Sequence, residues 1–298
     1  MRDAAATPAR DSADVDAHRS VLIAAAYRML GSLADAEEAV QEAFVRWVRL
    51  APDARASVVS PGAWLMRTTG RICLDVLGSA RRRREHYVGE WLPEPVPLGS
   101  SAATPDPERA AVQAESVSTA LLIVLETLTP AERVAFVLHD VFDVPFDEIG
   151  EVLGRSSAAC RQLAASARRH AGRRAGASVA RRRHDEVVAA FAAASATGRL
   201  DALVGVLAPG VVLVSDGGGV VSAARRPVRG ADHVARFLIG LAGKEPAARY
   251  EPVETGDGAG IAIRLGGEVA AVVTFATDAD RVTDVWIMRN PEKLRSWT

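Results

Sequence analysis

Two cysteines, Cys73 and Cys160, are all that 298 residues contain, which excludes a disulfide framework. Each falls on the apolar stripe of its own helical segment. The six histidines are scattered without ligand spacing, so no metal site and no cofactor is expected. No apolar run reaches the length of about 20 residues that a membrane span needs. The opening MRDAAATPARDSADVD lacks the apolar core of a signal peptide. A cytoplasmic chain that makes no membrane contact is the expectation. A net charge of −1 excludes a simple polycation. Lysine is nearly missing: Lys244 and Lys293 are the only two among 36 basic residues. An alanine-heavy, GC-rich coding sequence would produce the same bias toward arginine, so the bias alone says little about partners.

What is present is segregated charge. Arg81 to Arg84 are contiguous, and a second tract holds Arg168, Arg169, Arg173, Arg174 and Arg181 to Arg183. The most informative stretch leads into that tract: PFDEIGEVLGRSSAACRQLAASARRH, residues 145–170. Phe146, Ile149, Val152 and Leu153 share one face of a first helix, and Gly154 stands where a left-handed cap belongs. Ser156 is a good N-cap for a second helix, whose buried stripe is Cys160, Leu163, Ala164 and Ala167. Arg155, Ser156, Ser157, Arg161, Gln162, Arg168 and Arg169 are left facing outward. This is the outline of a helix-turn-helix, whose second helix fits the DNA major groove. Arg and Gln reach base edges there, and Ser a phosphate or a base. A plain helical hairpin with a solvated basic face has the same pattern. Upstream, Thr129, Pro130 and Glu132 form a capping box with proline at the first helical position. Leu121, Leu122, Leu125 and Leu128 add another stripe, so the spacing predicts a four-helix unit over roughly residues 116–174.

Residues 16–85 also read as helices. Leu22, Ala25, Ala26, Met29 and Leu30 form one amphipathic segment stopped by Gly31. Ser32 and Asp35 open a second, expected to bury Ala36, Val40, Ala43, Phe44, Trp47 and Val48. Its other face shows Glu38, Gln41 and Glu42. Carboxylates in early turns suit the helix dipole, so a solvated face is the simpler reading of this strip and a docking face for a basic partner the alternative. Ser60 and Pro61 open a third helix, with Leu65, Ile72, Cys73 and Val76 inward and Arg67, Arg71 and the arginine run on one side. Trp64 beside arginines would suit single-stranded DNA, though a core tryptophan is the simpler reading.

DAEEAVQEAFVRWV, AWLMRTTGRICLDVLGSARRRRE and LTPAERVAFVLHDVFDVPFDEIGEVLGRSSAACRQLAASARR occur in this order, separated by a linker with six Pro and Gly residues between Pro93 and Pro107. Together they resemble regions two and four of the extracytoplasmic-function (ECF) sigma factors. The resemblance implies that Asp35, Glu38, Gln41 and Glu42 dock on the clamp helices of the largest subunit of core RNA polymerase. It implies that Arg67, Arg71, Arg81, Arg82 and Arg83 engage promoter DNA at the minus-ten element, and that the Arg161 and Gln162 face reads the minus-thirty-five element. Arg71 stands where many relatives have Asn. Polymerase would supply the catalysis; this chain would supply recruitment.

From Arg181 onward the pattern changes to α+β. Two helices, a strand running into Asp216, Gly217, Gly218 and Gly219, a third helix and three or four strands follow, with Gly266 and Gly267 suited to a tight hairpin. This resembles the SnoaL-like (cystatin-like) cone, which a subfamily of these sigma factors carries. SDGGGVVSAARRPVRG and Asn290, Pro291 and Lys293 of NPEKL resemble that subfamily's signatures, with Val220 where many relatives have Lys. The glycine triplet lacks the following Lys-Ser/Thr of a phosphate loop. Asp216 and His233 are the only evident candidates for a general base, so an enzyme is not expected. A cone that binds or converts a small metabolite is the alternative. The expected organisation is multidomain. A disordered residue stretch 1–15 precedes region two (16–86), a flexible linker (87–115), region four (116–176) and a regulatory cone (182–298) in contact with the sigma domains.

Overall fold

The computed structural model describes residues 16–84, 87–100, 118–172, 180–278 and 280–297. The expected disordered residues 1–15 lie outside them, as do Arg173 and Arg174, and the side chains of Arg81, Arg82 and Arg83 are not described. The described residues divide into two compact units. One holds those up to Ala80 together with Leu128–His170; the other holds those of Arg81–Ala103, Glu115–Thr127 and Ala171–Thr298.

The first unit is all helical. Helices α1 (Arg19–Leu30), α2 (Leu33–Val48), α3 (Pro52–Ala56) and α4 (Pro61–Arg84) come first; α4 runs on past the unit's last residue. Gly31 closes α1 with φ of 70°, and Ser32 caps α2 by accepting from the Asp35 amide. Helix α2 buries Ala36, Ala39, Val40, Ala43 and Trp47, but Val48 is 68% exposed and Phe44 half-buried. Val48 is the last helical residue, so no further turn carries the stripe inward at that point. Trp64 packs edge-on against Trp47, with ring centroids 5.3 Å apart, which fits the core reading of that tryptophan. After α5 (Thr119–Glu126), which belongs to the second unit, come α6 (Pro130–Phe136), α7 (Phe146–Leu153) and α8 (Ser157–Gly172). The capping box at Thr129 and Glu132 forms as its spacing predicts. Helix α6 continues into a π-helical turn, Val137–Val141, that periodicity does not reveal.

In the second unit, α9 (Arg181–Ala196), α10 (Leu200–Val206) and α11 (Ala231–Lys244) cover one face of a six-stranded sheet. Its strands are β1 (Leu207–Asp216), β2 (Val228–Arg229), β3 (Arg249–Thr255), β4 (Gly258–Leu265), β5 (Glu268–Thr277) and β6 (Val282–Met288), in the order β2-β1-β6-β5-β4-β3. β1 runs parallel to β6 and the other neighbours are antiparallel. Gly266 and Gly267, both at positive φ, make the β4–β5 turn. The helical pattern of LDALVGVLA (residues 200–208) ends sooner than its spacing predicts: β1 joins β6 already at Leu207.

Strand alternation gives the sheet two buried faces. Val285 and Ile287 of β6 point into the core with Phe191, Leu203 and Phe275. Trp286 and Met288 point the other way, into a second cluster with Leu92, Val272, Leu294 and Trp297. What covers that second face is the linker. Residues 92–96 are buried, Pro97 bridges to Thr255, and Leu98 donates to the Glu254 carbonyl at 3.0 Å. The flexible tether expected here is, over residues 87–98, a seated extended segment.

Candidate nucleic-acid interface and linker seat

The turn between α7 and α8 is built for close approach. Gly154, at φ of 62°, donates back to the Gly150 carbonyl. A Cβ at Gly150 would lie 2.7 Å from the Arg155 carbonyl oxygen, so the two helices meet at this angle because residue 150 has no side chain. Ser156 caps α8 by accepting from the Ala159 amide at 3.2 Å. Cys160, Ala164 and Ala167 are buried, while Leu163 is half-buried. Arg155, Ser156, Arg161, Gln162, Arg168 and Arg169 are exposed. Ser157 is not on that face as expected: it is half-buried and its hydroxyl is covered, because the first turn of α8 is wedged into the bend. Arg161 lies over the Phe146 ring at 5.5 Å, which braces its stem. Arg168 is fastened through Nε to both carboxylate oxygens of Asp140, each at 3.0 Å.

On α2, Glu38, Gln41 and Glu42 follow at i, i+3 and i+4 and share a face. Glu38 and Gln41 are exposed, Glu42 accepts from Arg46 at 2.8 Å, and Asp35 is half-buried at the helix start. On α4, Arg67 and Arg71 both find partners on α7. Arg67 Nη1 meets Glu148 Oε2 at 2.7 Å, and its Nε lies 3.4 Å from Glu151 Oε2. Arg71 donates through Nη2 and Nε to the Glu151 carbonyl, at 2.6 and 3.2 Å. No sequence signal marks Glu148 and Glu151, some 80 residues away, as their partners.

In the second unit the two glycine- and asparagine-bearing motifs converge. Asp216, the last residue of β1, is fully buried. Its carboxylate accepts from Lys293 Nζ at 2.7 Å, the Leu92 amide at 3.0 Å, the Tyr87 hydroxyl at 2.6 Å and the Gly218 amide at 2.9 Å. Lys293 Nζ also donates to the Leu92 carbonyl at 2.6 Å and sits 4.1 Å from the Trp91 ring centroid. Asn290 donates to the Tyr87 hydroxyl, caps the turn at Pro291 by accepting from Glu292, and fills the space a Cβ on Gly218 would need. Trp297 Nε1 donates to the Pro95 carbonyl at 2.8 Å. Burial and the neighbouring Asp216 carboxylate push the Tyr87 phenol well above its ordinary pKa, so it stays a neutral donor. Asp216, Gly218, Asn290 and Lys293 are thus one anchor, and the linker is its cargo. Tyr87, Trp91, Leu92 and Trp297 are partners that spacing did not single out; a Trp-Leu pair set among prolines was the available sign.

A second anchor holds α5. Asp257, in the β3–β4 turn, accepts from the Thr119 amide at 2.6 Å and from its hydroxyl. Burial pushes the Asp257 carboxyl up to about 6. Ala120 and Ile123 of α5 pack on the same cluster as Leu92 and Trp297. His233 is exposed on α11, its ring Nδ1 3.2 Å from the Arg229 carbonyl, and Asp216 is spent on the linker.

A helix-turn-helix preceded by a second helical reading module defines a DNA-binding transcription factor, and the comparisons narrow it. The model of sigma-70 region 2 matches residues 15–83 and that of sigma-70 region 4 matches residues 118–170. The ECF RNA polymerase sigma factor SigJ of Mycobacterium tuberculosis is 41% identical over 94% of this chain and 92% of its own length. The probable ECF sigma factor SigI of the same species is 36% identical over 93% and 92%. The crystal structure of SigJ superposes with a TM-score of 0.74 at 37% identity, covering 96% of this chain and 98% of that one. The chain belongs to the ECF RNA polymerase sigma factors, with helical regions 2 and 4 followed by an α+β domain, and its role is that of an alternative sigma factor. That family is non-enzymatic. No helix among the described residues is long and apolar enough to cross a membrane.

Proposed function

We propose that this sigma factor, working in the cytoplasm, docks on the clamp helices of core polymerase through Asp35, Glu38, Gln41 and Glu42. Its promoter contacts are then divided between two surfaces. Arg161 and Gln162, with Arg155 and Ser156 at the helix start, read minus-thirty-five base edges. Arg67, Arg71 and the run from Arg81 to Arg83 engage the minus-ten element as its strands part. Phosphate neutralisation supplies most of the affinity and base contacts the discrimination. Capture of unpaired bases offsets the cost of opening the duplex.

The C-terminal domain acts in this scheme as a regulatory clamp on the linker. The observation that carries the reading is the Asp216–Lys293 knot, which ties down Tyr87 and Leu92, and the second tie at Thr119. Both ends of the chain segment between the reading regions are fixed to one domain, so the state of that domain decides how much slack the regions have. A cleft of that domain beside Leu241, Tyr250 and Arg289 has room for about 10 Å³, one water at most.

Run-off transcription with core polymerase tests each part. Charge reversal at Glu38 and Glu42 abolishes promoter-dependent initiation, while unaltered output defeats the docking face. Arg161→Ala weakens discrimination at one minus-thirty-five base by about 1–3 kcal/mol; an equal loss on every sequence would make it a phosphate contact only. Asp216→Asn alters output or promoter choice in the full-length protein, and identical promoter profiles would remove the regulatory role.

A further inference from the structure

The end of β6 serves two faces of the sheet. Trp286, Met288 and Asn290 turn toward the linker seat, whereas Ile287 and Arg289 line a cleft on the opposite face, beside Leu241, Tyr250, Ile263 and Ala270. Arg289 is the one cation among the residues lining that cleft, and its side chain is 13% exposed. Two groups hold its guanidinium. Glu245, the residue that caps the end of α11, accepts from Nη2 at 3.0 Å, and the Ser222 carbonyl accepts from Nη1 at 2.9 Å.

The Glu245 side chain is 31% exposed, so it can swing into water and leave Arg289 to a rival anion, as partly wet ion pairs do. With Glu245 in place the cleft holds a single water at most. With Glu245 turned out, the vacated space has a planar guanidinium fork at one end and the apolar walls of Leu241, Ile263, Ala270 and Ile287 around it. The fork pairs with the two coplanar oxygens of a carboxylate. A phosphate would leave its further oxygens against hydrocarbon.

Arg289 is also joined to the seat. Its amide donates to the Asp216 carbonyl at 2.7 Å, and the Asp216 carboxylate is the one that receives Lys293, Tyr87 and Leu92. Ser222, at the far end of the Arg289 side chain, belongs to the loop that follows the glycine triplet. A Cβ on Gly218 would lie 2.5 Å from Asn290 Cγ, and one on Gly219 would lie 3.0 Å from Val88 Cβ, so the triplet lies directly against the anchor and the linker. A carboxylate that takes both Nη atoms of Arg289 takes Nη1 from Ser222, and the loop loses a tie that holds it on the seat. We propose that this cleft is a site for a small monocarboxylate with a short apolar tail, which displaces Glu245 from Arg289 and, through Ser222 and Asp216, loosens the seat of the linker. The proposal rests on the clamp reading above for its consequence in transcription, and adds the ligand class that sets the clamp.

The test uses the full-length chain, without polymerase or DNA, and hexanoate as the probe. Calorimetry should show saturable binding of hexanoate and none of hexanamide, which has the same tail and no charge. Saturating hexanoate should speed amide hydrogen exchange over residues 87–98 about three- to tenfold, because binding and release of the linker are coupled; hexanamide should leave it unchanged. Glu245→Gln removes the built-in competitor and should bind hexanoate about three- to tenfold more tightly than wild type. No saturable binding to the wild-type chain or to this variant overturns the proposal, as does equal binding of hexanamide. Bound hexanoate that leaves exchange over residues 87–98 at its starting rate overturns it too. Unchanged affinity in Glu245→Gln would put the anion elsewhere and overturn the site. Should that variant fail to fold, the wild-type arms decide alone. Failure of the clamp reading shows separately, as promoter profiles that Asp216→Asn leaves unaltered.

Discussion

Two seams in this molecule differ in kind. The junction of α4 with α7 is charged and partly wet; Arg67 and Glu148 are each about a quarter to a third exposed. The seat of the linker on the sheet is dry: Lys293 is 8% and Asp216 0% exposed, and Leu92 and Trp297 close around them. The same chemistry, a cation on a carboxylate, serves opposite ends. Left exposed, such a pair holds weakly and trades readily for solvent or a rival anion. Once buried and satisfied on every side, it becomes costly to break, because either partner alone is a stranded charge.

Predictions sharpen the contrast. Lys293→Ala leaves the buried Asp216 carboxyl without its cation, and should destabilise the C-terminal unit by about 3–5 kcal/mol in urea denaturation. A loss under 1 kcal/mol would put the two seams in one class. Asp257 comes next. Its folded pKa of about 6 lies above the ordinary value, so between about pH 4 and 6 the native state binds more protons than the unfolded chain. Stability of the unit should therefore fall as pH rises through that window, by on the order of 1–2 kcal/mol, and Asp257→Asn should flatten the slope. Arg67→Ala should cost the helical unit about 1 kcal/mol or less, and 0.5 M salt should erase most of that difference, whereas the Lys293 effect should resist salt. Smallest is Arg46→Ala: its exposed partner Glu42 makes an i,i+4 pair worth about 0.3–0.5 kcal/mol in thermal melts.

Legibility in the sequence follows contact range. The helix-turn-helix was readable because Gly154, Ser156 and the Cys160 stripe act within a few residues of each other. The β4–β5 hairpin was readable for the same reason, through Gly266 and Gly267. The glycine motif at Asp216 and the NPEKL motif could be marked as special, but not joined: Asp216 and Lys293 are 77 residues apart, and Leu92 lies 124 residues before Asp216. Proline at 93, 95 and 97 reads as a tether. The same residues suit an extended segment lying on a sheet, since proline presents apolar surface and lacks an amide that burial would strand. Val48 and Ser157 departed from their stripes because a helix end and a tight bend override the 3.6 period. Nothing in the sequence sets Glu148 and Glu151 apart; only the fold puts Arg67 and Arg71 across from them.

The scarcity of lysine has a practical consequence. Of the two lysines, Lys244 is exposed and Lys293 is enclosed by Asp216, Leu92 and the Trp91 ring. An amine-reactive tag applied to native protein therefore has one side chain to find and one to spare. The chain carries its own gauge: the labelled fraction of the peptide that holds Lys293 reports how much of the population has lifted the linker from its seat.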